Sequence, residues 1–321
     1  MVGLAVPDVI TLGETMVLFA PQEAGPLRYA RRFDMRLGGA ESNFAVGVVR
    51  LGLSAGWVSR LGDDEFGRFI YTQLRGEGVD VSRVRFDPDA PTGLFFKELG
   101  RPGGTRIYYY RRGSAASRLS PADLDEAYFA GARWLHLTGI TPALSESCRA
   151  AVEAALGLAR RHGLKVSFDP NLRLKLWPLE TARRGLVPLM GQADVVLGGH
   201  EELCLLLEKP TPEAAAEALL GAGVGIVAVK LGAEGALVMT AASRDRVPAF
   251  PVERVVDPVG AGDAFDAGFV AGLLLGRDLV ASARLGNACG ALTLSVTGDY
   301  EALPTLAEAD AFMAGSLPLG R

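Results

Sequence analysis

From about residue 130 onward, short apolar runs alternate with longer amphipathic stretches. "ARWLHLTG" reads as a buried strand. "SESCRAAVEAALGLARRHG" follows with helical spacing, Ser145 serving as N-cap and Gly163 as the C-terminal stop. "LKVSFDP", "ADVVLGG" and "VGIVAVKLG" read as further strands, and "EELCLLLE" and "PEAAAEALLGAG" as helices between them. Strands alternating with helices predict an α/β fold, a mostly parallel sheet covered by helices on both faces. Ligands of such sheets bind beyond the carboxyl ends of the strands, which selects the loops after Asp169, Leu197, Lys230 and Val256.

The first third has another rhythm. "MVLFA", "LRYARRFDMRLG", "TGLFFKELG" and "TRIYYYRRG" are short, alternating or aromatic, and punctuated by Gly and Pro. They predict antiparallel strands. Between them "ESNFAVGVVRLGLSAGWVSRLGDDEFGRFIYTQLRGEG" reads as helix, strand, helix. A small antiparallel β-sheet lid is therefore expected, built from two insertions, about 15–36 and 92–114, on a single α/β unit spanning 1–321.

Composition narrows the function. The chain has 321 residues, 49% hydrophobic and 22% charged, enough to bury a large core without disulfides or a structural metal. With 33 basic residues against 37 acidic ones it has no cationic excess to attract nucleic acid or an anionic membrane. The longest apolar runs fall far short of a membrane span. Cys148, Cys204 and Cys289 are widely spaced, form no C-x-x-C pair and read as buried thiols. "MVGLAVPDVITLGE" lacks the basic region of a secretory signal. A cytoplasmic protein is expected.

Several motifs fail on their context. No G-x-x-x-x-G-K-[ST] occurs, and no G-x-G-x-x-G opens an early strand-to-helix turn. "GLSAG", Gly52 to Gly56, follows a helix and precedes a strand, the reverse of a nucleophile elbow. "HEELC" has cysteine where a zinc-binding histidine would stand, so His200 reads as a helix-start residue. "DPVGAGDAF" is different. Gly260, Ala261 and Gly262 leave the backbone bare where a helix begins, and their amides would converge on an anion beside Asp263. Taken alone, the same residues fit an aspartate N-cap after a tight glycine turn equally well.

The neighbouring motifs decide. "GGAESN", "RLGDDEFG", "SFDPNLR" and "VKLGAEGALV" each end a strand or open a helix in a glycine-rich or polar loop. In this order, from "TLGE" to "VTGDYEALP", they resemble the ribokinase-like carbohydrate kinases, and "DPVGAGDAF" is the most specific of them. The resemblance implies that Asp263 is the base for a sugar's primary hydroxyl, which attacks the γ-phosphate of ATP. It makes Gly260, Ala261 and Gly262 the anion hole. It places Asn171, Arg173, Lys230, Gly232, Gly235 and Asn287 at the nucleotide, with Gly260 and Gly262 beside its phosphates. It assigns Mg2+ to Asp257 and Glu202, acting through bridging water. The family often has Thr where Pro258 stands and Asn where Gly199 stands, so both side-chain contacts are missing here.

Gly38, Gly39 and Asn43 resemble the family's clamp on sugar hydroxyls. In "RIYYYRRGSAAS" strand alternation sets Tyr109 and Arg111 on one face, and an arginine beside a phenol suits a carboxylate. An edge strand charged against aggregation has the same appearance. Together with "GGAESN" and Asp299 the arrangement resembles the members that phosphorylate 2-keto-3-deoxygluconate. Phe95 lacks the hydroxyl that a tyrosine on this lid strand would offer. The expected substrate is thus a sugar acid bound by Gly38, Gly39, Asn43, Phe95, Tyr109, Arg111, Arg173, Asp263 and Asp299. Fructose phosphorylation and a non-enzymatic sugar-binding regulator on the same fold are the alternatives. A homo-oligomer formed through the lid is expected as well.

Overall fold

The structure is a computed structural model that describes residues 6–98, 106–296 and 298–316. The tip of the second insertion, 99–105, lies outside the described residues. The chain opens with β1 (Val9–Leu12) and a hairpin, β2 (Met16–Pro21) and β3 (Phe33–Gly38). α1 (Ala40–Arg50), β4 (Ala55–Gly62), α2 (Glu65–Gly76) and β5 (Val84–Asp87) follow, then a second hairpin, β6 (Leu94–Glu98) and β7 (Arg106–Tyr110). A short α3 (Glu126–Phe129) leads into β8 (Trp134–Thr138), α4 (Ile140–Leu144), α5 (Glu146–His162) and β9 (Lys165–Asp169). Next come α6 (Leu179–Met190), β10 (Val195–Gly199), α7 (His200–Leu207), α8 (Pro212–Gly221) and β11 (Ile226–Lys230). A third hairpin, β12 (Ala236–Met239) and β13 (Arg244–Val247), precedes α9 (Ala261–Leu274), α10 (Leu279–Thr293) and α11 (Leu306–Met313).

Nine strands form one sheet in the order β13-β12-β11-β10-β9-β8-β1-β4-β5. The run from β11 to β5 is parallel, and the β12–β13 hairpin adds an antiparallel edge. Apolar residues on one face pack with α1, α9 and α10, and those on the other with α5, α6, α7 and α8. Burial on both faces covers all of "WLHLT", His136 and Thr138 included. From β1 the chain passes to β4 on one side and later to β8 on the other. The switch point, where such sheets bind ligands, is therefore at the end of β1.

The two early hairpins meet in a four-stranded sheet, β3-β2-β6-β7. Each hairpin is antiparallel, as alternation predicts, and the central β2–β6 pairing between them is parallel because two separate chain segments lie side by side. Met16, Leu18, Ala20 and Phe95 are buried on its inner face, with Ile107 and Tyr109 against them. The outer face stacks Phe19 on Phe96 with centroids 5.0 Å apart and sets Tyr110 edge-on to Phe96.

α9 is short of large side chains for a packing reason. A Cβ on Gly268 would stand 2.8 Å from the Cα of Gly286 in α10, and one on Gly272 would stand 2.7 Å from the Ser282 hydroxyl. Close approach of these two helices fixes the direction in which the N-terminus of α9 faces. Local signals were read correctly elsewhere: Ser145 caps α5 through the Cys148 amide, and Gly163 ends it at φ 70°. "GLSAG" runs from the turn after α1 into the start of β4, and Ser54 bonds Asp8 on the surface. Cys148 and Cys289 are buried thiols, whereas Cys204 is only half-buried because its face of α7 reaches the surface.

Candidate active site

Asp263 sits in the first turn of α9, behind Gly260 as N-cap. Gly260 has φ 84°, and a Cβ there would lie 2.0 Å from the Asp299 carbonyl oxygen, so only glycine fits. With no side chain to cap the helix, the first-turn amides are left for an external acceptor, and the helix dipole favours an anion there. At Gly262 an added Cβ would meet only the Lys230 ammonium, at 3.5 Å. The turn is open on that side.

The Asp263 carboxylate is held between two asparagines. Asn43, on α1, donates through Nδ2 to Oδ2 at 2.8 Å, and Asn171, after β9, donates through Nδ2 to Oδ1 at 3.5 Å. Asn171 takes φ 37°, with its backbone amide bonded to Asp169 at 3.0 Å. The Oδ1 atoms of both asparagines are buried without a hydrogen-bond partner. An unsatisfied buried acceptor costs roughly 1–3 kcal/mol, so both atoms suit a donor or cation brought by a ligand. Burial raises the Asp263 pKa, the Asn43 hydrogen bond opposes the rise, and the Asp169 charge adds to it.

Behind this pair, Lys230 at the end of β11 donates to Asp169 at 3.1 Å and to both oxygens of Asp266 at 3.1 Å. Burial alone would neutralise the lysine, but the Asp169 and Asp266 charges overcome it and hold the ammonium firmly protonated. Burial likewise pushes Asp266 well up, while Asp169, with Lys230 beside it, is lowered. Glu202 on α7 is pushed up to about 7, first by burial and then by Asp169, and Arg173 stands 4.0 Å away. Asp257 is engaged differently: it accepts from the Lys97 ammonium at 2.9 Å and from the Val259 and Gly298 amides. Among the described residues no group of three or more His, Cys, Asp or Glu forms a ready metal cluster.

Gly232 (φ 61°) and Gly235 (φ 98°) shape the turn between β11 and β12. Gly235 is required by packing, since its Cβ would meet the Val247 carbonyl at 2.1 Å. Asn287 donates to the Val247 and Pro248 carbonyls at 3.0 and 3.1 Å, so its amide holds the end of β13.

The Gly38–Gly39 turn adjoins the inner face of the small sheet. A Cβ on Gly38 would clash with the Phe95 ring at 2.4 Å and Asp299 Oδ2 at 2.6 Å, and one on Gly39 with the Glu14 carbonyl at 2.5 Å. Phe95 lies 5.8 Å from Tyr109, and the Arg111 guanidinium is 5.6 Å from the Tyr109 ring. Arg111 is also ion-paired with buried Glu14, Nε to Oε2 at 2.6 Å, and Ser114 donates to the other Glu14 oxygen at 2.5 Å. One edge of the guanidinium is thereby taken. Sequence reasoning missed the partner role of Glu14, took Asp169 only as the end of a strand, and missed Glu41, Lys97 and Asp266 altogether. For Lys97 a signal existed: it shares the strand phase of Phe95, and both are buried.

Residues 6–306 match the pfkB family carbohydrate kinases. The chain belongs to that family. The kinase is 42% identical over 309 residues to the 2-dehydro-3-deoxygluconokinase of Bacillus subtilis (strain 168), covering 96% of this chain and 95% of that one. It is 41% identical over 310 residues to the 2-dehydro-3-deoxygluconokinase of Thermoproteus tenax, covering 95% and 94%. A putative Ribokinase II from E. coli, solved in complex with ATP and Mg2+, shares the kinase's fold with a TM-score of 0.90 at 30% identity, covering 96% and 99%. The ribokinase-like fold is present, and the chain is an enzyme, a carbohydrate kinase. The non-enzymatic alternative gives way. No helix among the described residues is long and apolar enough to cross a membrane.

Proposed function

We propose that the kinase transfers the γ-phosphate of ATP to the primary hydroxyl of 2-keto-3-deoxygluconate, giving the 6-phosphate. One observation carries the reading: Asp263 stands beside a bare helix N-terminus, between two asparagines with unsatisfied oxygens. In this arrangement Asp263 accepts the proton of the attacking hydroxyl, and Asn43 orients that hydroxyl through its free Oδ1. The raised Asp263 pKa makes it a better base than an ordinary aspartate. Charge building on the transferred group is met by the amides of the Gly260-Ala261-Gly262 turn, with the Lys230 ammonium close behind Gly262. Arg173 and the β11–β12 turn with Gly232 serve the nucleotide, and Asn287 fixes the β13 end of that wall.

Mg2+ bound with ATP would supply positive charge to offset the negative charge of the phosphates. Hard oxygen donors fit it here: the unpartnered Asn171 Oδ1 and the Asp169 and Glu202 carboxylates. Asp257 supports the loop through Lys97 and contributes its charge from there.

Arg111 supports an acidic sugar. A guanidinium has five N–H donors, and Glu14 occupies one edge, which orients the other for a substrate carboxylate. Two insertions, about 15–36 and 92–114, make the lid in this reading. Its exposed outer residues, Tyr29, Met35, Tyr108 and Tyr110, support pairing with a second copy. Light scattering should therefore give more than one protomer, and a monomer at micromolar concentration would end that part of the reading. The three free thiols suit a cytoplasmic setting.

The substrate is tested by coupled ADP release with ketodeoxygluconate, ketodeoxygalactonate, fructose, ribose and gluconate. The highest kcat/KM should fall on ketodeoxygluconate. A preference for fructose or ribose would replace the sugar acid by a neutral sugar.

A further inference from the structure

Lys97 is a fully buried lysine in a strand of the small sheet, remote in sequence from every loop that holds the phosphates. Its ammonium donates to Asp257 Oδ2 at 2.9 Å and to Asp299 Oδ1 at 2.7 Å. Asp257 opens the loop before α9, and it also accepts from the Val259 amide at 3.2 Å and the Gly298 amide at 3.3 Å. Asp299 belongs to the segment after α10, and its carbonyl is the atom that a Cβ on Gly260 would strike at 2.0 Å. One ammonium thus ties together a strand of the small sheet, the loop before the anion hole and the segment packed against the anion hole's own glycine.

We propose that Lys97 is a built-in cation that sets the Gly260-Ala261-Gly262 turn, a positioning residue for phosphoryl transfer that couples the small sheet to the anion hole. Stability does not explain it, because burying one ammonium with two carboxylates is at best neutral against apolar residues of the same size. Geometry does. Displacing Asp299 moves the carbonyl that Gly260 rests on, and releasing Asp257 frees the loop at Val259. Two residues before Lys97 on the same strand, Phe95 packs against Gly38 on the sugar side. Sugar binding and phosphate stabilisation therefore share one strand. A misplacement of about 1 Å at such a turn can lower a rate about 100-fold.

The proposal rests on the anion-hole reading of that turn and is independent of which sugar is phosphorylated. Its test therefore uses whichever sugar the wild-type enzyme turns over fastest. Three variants are compared with it for kcat, KM and melting temperature: Lys97→Met, Lys97→Ala, and Lys97→Met combined with Asp257→Asn. The double variant keeps the cluster's net charge at one negative unit, so it should fold even if Lys97→Met does not. It should lose about 100-fold in kcat while the KM for ATP changes only a few fold. In Lys97→Ala, millimolar methylammonium or ammonium should restore at least 10-fold in kcat, and tetramethylammonium at equal ionic strength should restore nothing. Wild-type kcat in the double variant would overturn the proposal. So would a folded Lys97→Ala enzyme whose loss no small ammonium ion repairs.

Discussion

Glu41 shows how far a single residue can depart from its usual chemistry. It lies in the first turn of α1, fully buried at the switch point of the large sheet. Thr138 and Thr141 both donate to its Oε1 at 2.6 Å, and Oε2 has no partner. Burial pushes its pKa from 4.5 up to about 7, against the two threonine hydrogen bonds. Between those values the native chain holds a proton that the unfolded chain has released, so folding stability falls as pH rises from 4.5 toward 7. Glu41→Gln removes that loss. Its melting temperature should exceed the wild type's at pH 8, by an equivalent of up to about 3 kcal/mol, and match it near pH 4.5. Melting curves across that range check this, and equal curves at pH 8 would refute it. The two glycines of the proposed anion hole separate in the same way. Gly260→Ala should destabilise the fold by roughly 1–3 kcal/mol through its positive φ, more with the Asp299 contact. Gly262→Leu should leave the melting temperature nearly unchanged but cut turnover, because its side chain enters the open side of the turn. Full activity in that variant would remove the anion hole from the account.

At the scale of elements, legibility follows how local the determining physics is. The ends of α5 were readable because a serine cap and a left-handed glycine act within a few residues. α6 was not, since Gly185 and Pro188 interrupt it and only packing on the large sheet offsets their poor propensity. At the end of β7, alternation placed Tyr109 and Arg111 together, and the structure keeps them in contact, with Arg111 one residue beyond the strand. Nothing local could show that Arg111 would meet Glu14, a residue 97 positions away. Lys97, Asp169 and Asp266 were hidden for the same reason: their meaning lies in partners from other elements. Arg111→Ala should lower kcat/KM for the acidic sugar about 10- to 150-fold, the worth of a hydrogen bond to a charged group, with the ATP KM unchanged. Arg111→Lys should recover only part, since an ammonium lacks the planar fork. Kinetics with the acidic sugar and with fructose check the assignment. Equal losses on both would mean that Arg111, with Glu14, only holds the small sheet in place.

For the whole molecule, the doubly covered sheet brings loops from the ends of β1, β9, β10 and β11 to one edge, and the two early hairpins roof that edge from a sheet of their own. The strand rhythm and the glycine motifs made this plan legible, including Asp263 and its turn. The residues that hold Asp263 in place were only partly legible. Asn43 and Asn171 were named for sugar and phosphate, and the structure sets both on Asp263 itself. The account therefore turns on that carboxylate. The most direct measurement is the steady-state rate of ADP release by Asp263→Asn with ketodeoxygluconate, alongside ATP binding by calorimetry on the same protein. The account predicts a folded enzyme that binds ATP as the wild type does and turns over about 10²–10⁴-fold more slowly, the usual worth of a general base. Turnover within a few fold of the wild type would contradict it.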